Sequence, residues 1–313
     1  MQGIDTIYVK FNKNRIYNNI RFYIKAIQMI HKSNYKLVIL NRSYFFFLFK
    51  VFHPFKTFIY DIRSGIVKPI AWKRKLFTLI LKWDILFFKN ITIISDSLAK
   101  KLKIKRYQVL PLGAEAFNLP PKKFNEIQLM YVGTLNNRRI EETIDGFSQF
   151  LQKVPENNNI FYHIYGFGTL DAEEKITSYI ENLHLENKVF FHGKISPTDL
   201  RDKLRIHNLG VSYIPITPYF DVQPPTKTFE YLLAGMPVIA TNTSENARVI
   251  TEENGVLIPD SPEGFKTGLQ AIYSKIIQNH YSSDVIYHNS RFFSWEYIVS
   301  NIFKPYIDDL ITN

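Results

Sequence analysis

Residues 221–250 of the chain read DVQPPTKTFEYLLAGMPVIATNTSENARVI, and this stretch carries the clearest signals of secondary structure. Residues 228–234 are predicted to be helical, because Gly235 and then Pro237 end the helix. The apolar residues 238–240 follow at once and are predicted to form a strand. A helix that leads directly into a strand indicates an α/β fold.

The same stretch carries candidate chemistry. Thr226 and Lys227 supply hydroxyl, ammonium and backbone donors ahead of the helix, a set that suits a phosphate. Glu230 lies in the first turn, where its carboxylate can accept hydrogen bonds from a diol such as ribose. The alternative for Lys227 and Glu230 is a spaced salt pair on a helix surface, with a contribution of about 0.2–0.5 kcal/mol.

Short apolar runs alternate with stretches of helical period along the whole chain, which is a βαβ pattern. In the first half the predicted strands are Thr6–Phe11, Lys36–Leu40, Thr57–Tyr60, Ile91–Ile94 and Gln108–Leu110. In the second half they are Gln128–Val132, Phe161–Tyr165, Val189–Phe191, Leu209–Tyr213, Val238–Ala240 and Gly255–Ile258. Ser196 and Ser261 are each followed by a proline and an acidic residue, which predicts a helix start at both.

The composition limits the class of protein. A length of 313 residues fits two packed domains, and 46% hydrophobic against 21% charged residues excludes wholesale disorder. The sequence contains no cysteine, which excludes a disulfide scaffold, a thiolate zinc site and a cysteine nucleophile.

The charge is divided unevenly. Residues 1–124 hold 24 Lys and Arg against 5 Asp and Glu, a formal charge of +19, whereas residues 125–313 hold 15 against 23, or −8. This asymmetry indicates an anionic partner for the first half alone, with nucleic acid and an anionic membrane surface as the two candidates.

No stretch reaches the roughly 18–20 uninterrupted apolar residues of a membrane-spanning helix, and basic residues interrupt the first apolar stretch, so no signal peptide is predicted. We therefore expect a cytoplasmic chain. Residues 70–83, IAWKRKLFTLILKW, combine apolar and basic side chains as a helix in a membrane interface does. A core helix with a solvated basic face is the alternative.

Turn-forming residues follow the strands of the second half, where ligands of doubly wound sheets bind. In residues 131–144, YVGTLNNRRIEETI, a glycine at a strand end precedes Arg138 and Arg139 at the mouth of a helix. Arginines beside helix N–H groups predict a diphosphate site, and a solvated helix cap is the alternative.

These motifs resemble a known family. Gly133-Thr134-Leu135 with the arginine pair, Gly166-Phe167-Gly168, His192-Gly193 and above all PPTKTFEYLLAGMPVIAT at residues 224–241 look like the donor-binding half of GT-B glycosyltransferases of family 4. The similarity spans roughly residues 127–275. Weaker similarity covers FIYDIRSG, TIISDSLAKKL, VLPLGAEAF and the closing FSWEYIVSNIFKPYIDDLI.

The resemblance implies two Rossmann-like, doubly wound parallel-sheet domains that face a cleft, with the first domain abbreviated. We expect an N-terminal acceptor- and membrane-facing domain at residues 1–115 and a linker at 116–126. A nucleotide-sugar domain is expected at 127–290, and a terminal helix at 291–313 that crosses back to the first domain.

Site residues follow from the resemblance. Glu230 matches the residue that binds the ribose of a nucleotide sugar, and Arg139 matches the family's basic loop residue, for which Arg138 could substitute. The expected donor-binding residues are Gly133, Thr134, Arg138, Arg139, Gly166, Gly193, Lys194, Ile195, Thr226, Lys227, Thr228 and Glu230. The expected catalytic residues are Lys227, Arg139 and Asp61.

The sequence departs from the family at several positions. Many members carry a second glutamate eight positions before the one matched by Glu230, where this chain has Val222 beside Asp221, and Thr134 stands where arginine is common. Residues 1–14 offer only Gly3 in place of a glycine-rich opening loop.

On the acceptor side, Asp61 and Arg63 are the candidates, alongside Ser95 and Asp96. A local ion pair is the alternative for Asp61 and Arg63.

The expected activity is transfer of a sugar from a nucleotide diphosphate sugar, UDP- rather than GDP-linked, to a lipid-linked or glycan acceptor in capsule or lipopolysaccharide synthesis. The resemblance implies an anomer-retaining reaction without a metal or other cofactor, at an anionic membrane surface on the inner face of the cell membrane and without nucleic acid. A non-catalytic glycosyltransferase-like partner subunit and a nucleic-acid-binding protein are the alternatives.

Overall fold

The computed structural model describes residues 5–9, 13–41, 44–66, 70–155 and 159–312. It divides the chain into two compact units. The first comprises Met1–Ile93, Leu102–Val109 and Ile307–Asn313, and the second comprises Ile94–Lys101 and Leu110–Tyr306.

Strands and helices alternate through both units. The strands are β1 (Leu37–Asn41), β2 (Thr57–Ile62), β3 (Asn90–Ile93), β4 (Gln108–Val109), β5 (Ile127–Thr134), β6 (Ile160–Phe167), β7 (Val189–Gly193), β8 (Leu209–Ser212), β9 (Val238–Thr241) and β10 (Gly255–Ile258). The helices are α1 (Arg15–Lys32), α2 (Phe47–Phe52), α3 (Ala71–Asp84), α4 (Asp96–Leu102), α5 (Glu141–Leu151), α6 (Leu170–Asn182), α7 (Pro197–Ile206), α8 (Thr226–Leu233), α9 (Pro262–Ile277), α10 (Ser283–Ser290), α11 (Trp295–Ile298) and α12 (Lys304–Thr312). None of the helices that the structure describes is both long and apolar enough to cross a membrane.

The first unit contains a four-stranded parallel sheet in the order β1-β2-β3-β4. A predicted strand at Thr6–Phe11 is wrong for the part that is described: residues 6–9 form no strand, and residues 10 and 11, like Gly3, lie outside the described residues. Alternating apolar residues form a strand only with a ladder partner and a buried face. Ile7 and Tyr8 are instead 55% and 87% exposed.

The second unit contains a six-stranded parallel sheet in the order β10-β9-β8-β5-β6-β7. Numbered from β5, this order is 3-2-1-4-5-6, the doubly wound arrangement in which the direction of winding reverses between β5 and β8. Four tyrosines are fully buried in or beside this sheet: Tyr131, Tyr162, Tyr213 and Tyr231. Their hydroxyl groups all have hydrogen-bond partners, as buried polar groups require.

Local signals place the helices of this unit. Ser196 and Ser261 accept hydrogen bonds from the backbone N–H groups of Asp199 and Gly264, at 3.2 and 3.0 Å, which confirms both predicted helix starts. Helix α8 ends where predicted, since Gly235 adopts a φ of +70° that favours glycine.

In the second unit, backbone hydrogen bonds join residue 114 to residues 293 and 295, which lie far along the chain. The Ala114 N–H donates to the Phe293 carbonyl at 3.0 Å, and the Trp295 N–H donates to the Ala114 carbonyl at 2.9 Å. Gly113 permits this approach, because a Cβ atom there would come within 2.8 Å of the Phe293 carbonyl oxygen.

Candidate active site

A cavity of about 510 Å³ opens at the carboxyl ends of β5 and β8. It lies where the winding of the sheet reverses, the position at which doubly wound proteins bind ligands. Its wall comprises Val132, Gly133, Thr134, Arg138, Ile195, Ser196, Pro197, Leu200, Ile214, Tyr219, Phe220, Gln223, Pro224, Pro225, Thr226, Lys227 and Glu230. Seven of the predicted donor-binding residues therefore meet in one cavity: Gly133, Thr134, Arg138, Ile195, Thr226, Lys227 and Glu230.

Lys227 stands in the first turn of α8 with its ammonium group buried. Nζ lies 3.8 Å from the centroid of the Tyr131 ring and has no hydrogen-bond partner in the described part of the chain. Burial, reinforced by the positive charge of Arg138, lowers the pKa of Lys227 well below its ordinary value. The ammonium group is thus held without a counter-ion close enough to satisfy its donors.

Gly133 makes room for this ammonium group. A Cβ atom at position 133 would lie 2.9 Å from Lys227 Nζ, closer than real Cβ contacts, and the φ of Gly133 is +150°. The glycine of the predicted strand-end turn is therefore required both by the backbone conformation and by the space that Lys227 occupies.

Arg138 is the second cation in the wall. Its guanidinium carbon lies 3.9 Å from the centroid of the Phe220 ring, a stacked cation–π arrangement. Among the described residues its Nη1 atom finds no hydrogen-bond partner, although it is buried. Burial lowers the pKa of Arg138 from its ordinary value. Arginine nevertheless keeps its positive charge in proteins.

Arg139, for which a catalytic role is expected, is not among the residues that line the cavity. Its guanidinium group forms ion pairs with Glu142, at 3.0 Å, and with Asp260. Asn137 and Arg139 both have positive φ, +59° and +53°, so the chain turns sharply around Arg138 and the two arginines separate. Of the two arginines, Arg138 lines the cavity and Arg139 does not.

Glu230 lies one helical turn after Lys227 and also lines the cavity. Burial raises the pKa of its carboxyl group, and the neighbouring charge of Lys227 opposes that rise. A half-buried carboxylate that faces a cavity is an acceptor for ligand hydroxyl groups.

Three further predicted donor-binding residues, Gly166, Gly193 and Lys194, are absent from the wall of this cavity. Thr228 is buried and bonds to Ser212 and Asn246, at 2.8 and 3.0 Å, so its hydroxyl group joins α8 to its surroundings. These two hydrogen bonds indicate a structural role for Thr228.

Asp61 belongs to the first unit and is surrounded by donors. It accepts hydrogen bonds from Thr92 at 2.6 Å and Asn41 at 2.8 Å, and it pairs with Arg63 at 2.7 Å. Only 6% of Asp61 is exposed. A carboxylate committed to three partners fits the alternative of a local ion pair and argues against the predicted catalytic role.

The other acceptor-side candidates also have local partners. Ser95 Oγ accepts from the Leu98 N–H at 3.2 Å, and Asp96 pairs with Arg248 at 3.6 Å. Within the described ranges, no group of three or more His, Asp or Glu side chains is arranged to hold a metal ion.

Sequence reasoning missed Gln223. It lines the cavity, and its Nε2 atom is buried without a partner among the residues that the structure describes. Phe220, which stacks on Arg138, was missed as well. Gln223 lies at the edge of the stretch 221–250 and Phe220 just before it, and only their position in the loop before Pro224 and Pro225 could have indicated them.

Residues 126–275 match the family described as Glycosyl transferases group 1. Among curated proteins, no sequence is significantly similar to the chain. The matched segment contains the cavity and all of its lining residues.

Solved structures share the fold. A glycosyltransferase from Rickettsia africae ESF-5 superposes with a TM-score of 0.73 at 16% identity, over 98% of this chain and 85% of that one. Anabaena Alr3699/HepE in complex with UDP gives 0.71 at 15% identity, over 91% and 81%. The lipopolysaccharide outer core galactosyltransferase WaaB in its apo form gives 0.67 at 15%, over 95% and 82%.

The fold is therefore α/β, with parallel sheets in two domains, as in GT-B glycosyltransferases. The family match and this fold together support a nucleotide-sugar-dependent glycosyltransferase.

Proposed function

We propose that the protein transfers a sugar from UDP-sugar to a lipid-linked acceptor at the inner face of the cell membrane, in the synthesis of a surface polysaccharide. One observation carries the donor half of this proposal: the buried nitrogens Arg138 Nη1 and Lys227 Nζ both lack partners in the described part of the chain and line the same cavity. A buried donor without a partner costs about 1–3 kcal/mol, and more when it is charged.

A diphosphate removes that cost. Its oxygens are acceptors only, and they can bond to the Arg138 and Lys227 nitrogens that lack hydrogen-bond partners among the described residues. The N-terminal turn of α8 adds backbone N–H groups and the positive end of its dipole. Burial makes each of these interactions stronger than it would be in water.

The same groups supply the chemistry. Glycosyl transfer passes through an oxocarbenium-like transition state in which the leaving diphosphate gains charge. Arg138 and Lys227 stabilise that charge where it develops, and they are in place before the reaction begins. This supports a metal-independent reaction. We propose retention of the anomeric configuration on the family resemblance, with no covalent nucleophile assigned.

Glu230 is proposed to bind the ribose hydroxyls. The Glu230→Ala variant should bind UDP about tenfold more weakly or worse, because charged hydrogen bonds contribute roughly 1.5–3 kcal/mol. Isothermal titration calorimetry measures the change. An unchanged dissociation constant would remove Glu230 from the site.

The arginine pair offers a matched test of the diphosphate site. Arg138→Ala should weaken UDP binding about tenfold or more, whereas Arg139→Ala should change it less than threefold, since Arg139 is tied to Glu142 and Asp260. The opposite ranking by calorimetry would return the diphosphate role to Arg139. Equal losses would show that the site is not organised around Arg138.

Transfer itself is tested with radiolabelled UDP-hexoses and isolated bacterial inner membranes. We expect label to move into the organic-extractable lipid fraction with wild-type protein and not with Lys227→Met. UDP binding without any transfer or hydrolysis, over a panel of donors and membranes, would favour a non-catalytic partner subunit.

The membrane part of the proposal rests on α3. Trp72, Leu76, Leu79 and Trp83 follow each other at helical spacing and are 45–64% exposed. The core-helix alternative predicts that this stripe is buried, whereas the buried residues of α3 are Leu81 and Asp84. An exposed apolar stripe among four basic residues suits an anionic bilayer surface.

Vesicle sedimentation tests this surface. Wild-type protein should bind vesicles with 30% phosphatidylglycerol about tenfold more strongly than pure phosphatidylcholine, and Trp72→Ser with Leu79→Ser should abolish the preference. Leu170→Ser, at a residue of the second unit that is 76% exposed, is the control. Equal binding of both vesicle types by wild-type protein would refute the membrane assignment.

A further inference from the structure

The loop between β8 and α8 holds Gln223 in a fixed place. The Gln223 N–H donates to the Phe220 carbonyl at 3.1 Å, which closes a turn, and Pro224 and Pro225 follow directly. Proline fixes its own φ and restricts the residue before it. The backbone of Gln223 therefore has little freedom.

The two residues before Gln223, Asp221 and Val222, do not contribute a polar side chain to the cavity wall. Val222 is apolar and buried. Both carboxylate oxygens of Asp221 are bonded to Ser244, one to its backbone N–H at 2.8 Å and the other to its hydroxyl group at 2.7 Å. Within the turn of residues 220–223, the carboxamide of Gln223 is thus the polar group that lines the cavity.

The Gln223 carboxamide lacks a hydrogen bond at its nitrogen atom. Its Nε2 atom is buried, and the described residues provide no hydrogen-bond partner for it. A buried amide N–H without an acceptor is unfavourable, so a ligand group that accepts a hydrogen bond from it gains binding energy.

The hydrogen-bonding capacity of the Gln223 carboxamide indicates which ligand group it can bind. Phosphate oxygens only accept hydrogen bonds, and Arg138 and Lys227 already provide charged donors for them. A carboxamide both donates and accepts, which matches a hydroxyl group, since that also does both. With Glu230 assigned to the ribose, the hydroxyls that remain on a nucleotide sugar are those of the transferred sugar.

We propose that Gln223 binds a hydroxyl group of the transferred sugar and so determines which sugar the protein accepts. This inference rests on the proposed function. A site that hydrogen-bonds a particular hydroxyl discriminates against sugars that lack it or place it differently, because the carboxamide then stays unpaired.

The test compares UDP alone with UDP-glucose, UDP-galactose and UDP-N-acetylglucosamine, by calorimetry on wild-type protein and on Gln223→Ala and Gln223→Leu. Leucine keeps the bulk of glutamine without its polar atoms, and melting temperatures check folding. Both variants should bind UDP within threefold of wild type. The ratio of affinities between the preferred and the least preferred UDP-sugar should fall about tenfold, with Gln278→Ala on the surface of the second unit as the unchanged control.

The outcomes separate the two proposals. If wild-type protein binds neither UDP nor GDP, the proposed function fails and this inference with it. If UDP binds normally but discrimination among the sugars is unchanged in both variants, this inference alone is wrong. If UDP binding falls as much as UDP-sugar binding, Gln223 acts on the nucleotide and not on the sugar, which also overturns it.

Discussion

The buried ammonium group of Lys227 and the missing side chain of Gly133 form one arrangement. The helix start brings the lysine to the strand end, and the glycine leaves the volume that its Nζ atom occupies above the Tyr131 ring. Each residue by itself has an ordinary explanation, as a helix-surface cation or a turn glycine. Together they hold a charge in a place that has no partner for it within the described residues until an anion arrives.

Gly133→Ala tests this arrangement. We expect UDP affinity to fall about tenfold or more, because the new Cβ atom displaces the ammonium group and strains a residue at a φ of +150°. The measurement is a double-mutant cycle with Lys227→Met, by calorimetry. In the Lys227→Met background the alanine should cost less than threefold, and a full further loss there would show that the glycine acts independently of the lysine.

At the scale of elements, helix starts and stops were predictable because they depend on a few adjacent residues. Ser261 with Pro262 set the start of α9, and Gly235 set the end of α8. The choice between Arg138 and Arg139 was not predictable, since it depends on two left-handed backbone residues and on pairing with Asp260, which lies far along the chain. The strand expected at residues 6–11 is absent from residues 6–9, the part that the structure describes, for a similar reason: alternation does not reveal whether a partner strand is available.

The cap of α9 gives a stability prediction. Ser261→Ala should lower the free energy of unfolding by about 1 kcal/mol, because the Gly264 N–H loses its acceptor. Urea denaturation measures the change. Ser178→Ala, at an exposed position inside α6, replaces the same side chain where it caps nothing and should leave stability within about 0.5 kcal/mol. Equal effects of the two variants would contradict the assigned role of the cap.

In the whole molecule, the basic and acidic parts of the sequence correspond largely to the two structural units. The basic first unit carries the exposed stripe of α3, and the acidic second unit carries a cavity whose wall is locally cationic. The net charge of the first half predicts an anionic partner for it, and that stays a prediction, whereas the net negative charge of the second half gives no sign of the cationic cavity wall. Motif spacing found that site, and seven of its residues, without any help from the overall charge.

The pH dependence of stability should follow a cluster of three histidines in the second unit, in which His207 is buried, His163 is half-buried and His192 is exposed. His207 Nδ1 lies 2.7 Å from the Lys203 carbonyl, and His163 bonds to Gln128 and His192, at 2.8 and 2.9 Å. Burial, with the charge of neighbouring groups added, lowers the pKa of His163 to about 4 and that of His207 to about 3.

Both folded-state pKa values lie below the ordinary 6.5, so protonation favours the unfolded chain. The stabilisation is complete above about pH 6.5 and is lost as pH falls toward 4 and then 3. The urea midpoint of wild-type protein should drop between pH 7 and pH 5, and the His163→Gln, His207→Asn double variant should drop less. His280→Gln, at an exposed histidine, is the control variant. If the urea midpoints of wild-type protein and the double variant fall equally with pH, other groups cause the acid sensitivity.

The bridge between Ala114 and Ser294 has a consequence for how such proteins can be recombined. Because Ala114 bonds to Phe293 and Trp295, the residues on either side of Ser294, the polypeptide enters and leaves the cavity-bearing segment at neighbouring points. A segment with adjacent ends can be cut out and replaced with little disturbance to its interior. Grafting residues 114–294 in place of the equivalent segment of a GT-B relative should yield a chimera with the sugar preference of this chain, and a circular permutant joined at that bridge should still bind nucleotide.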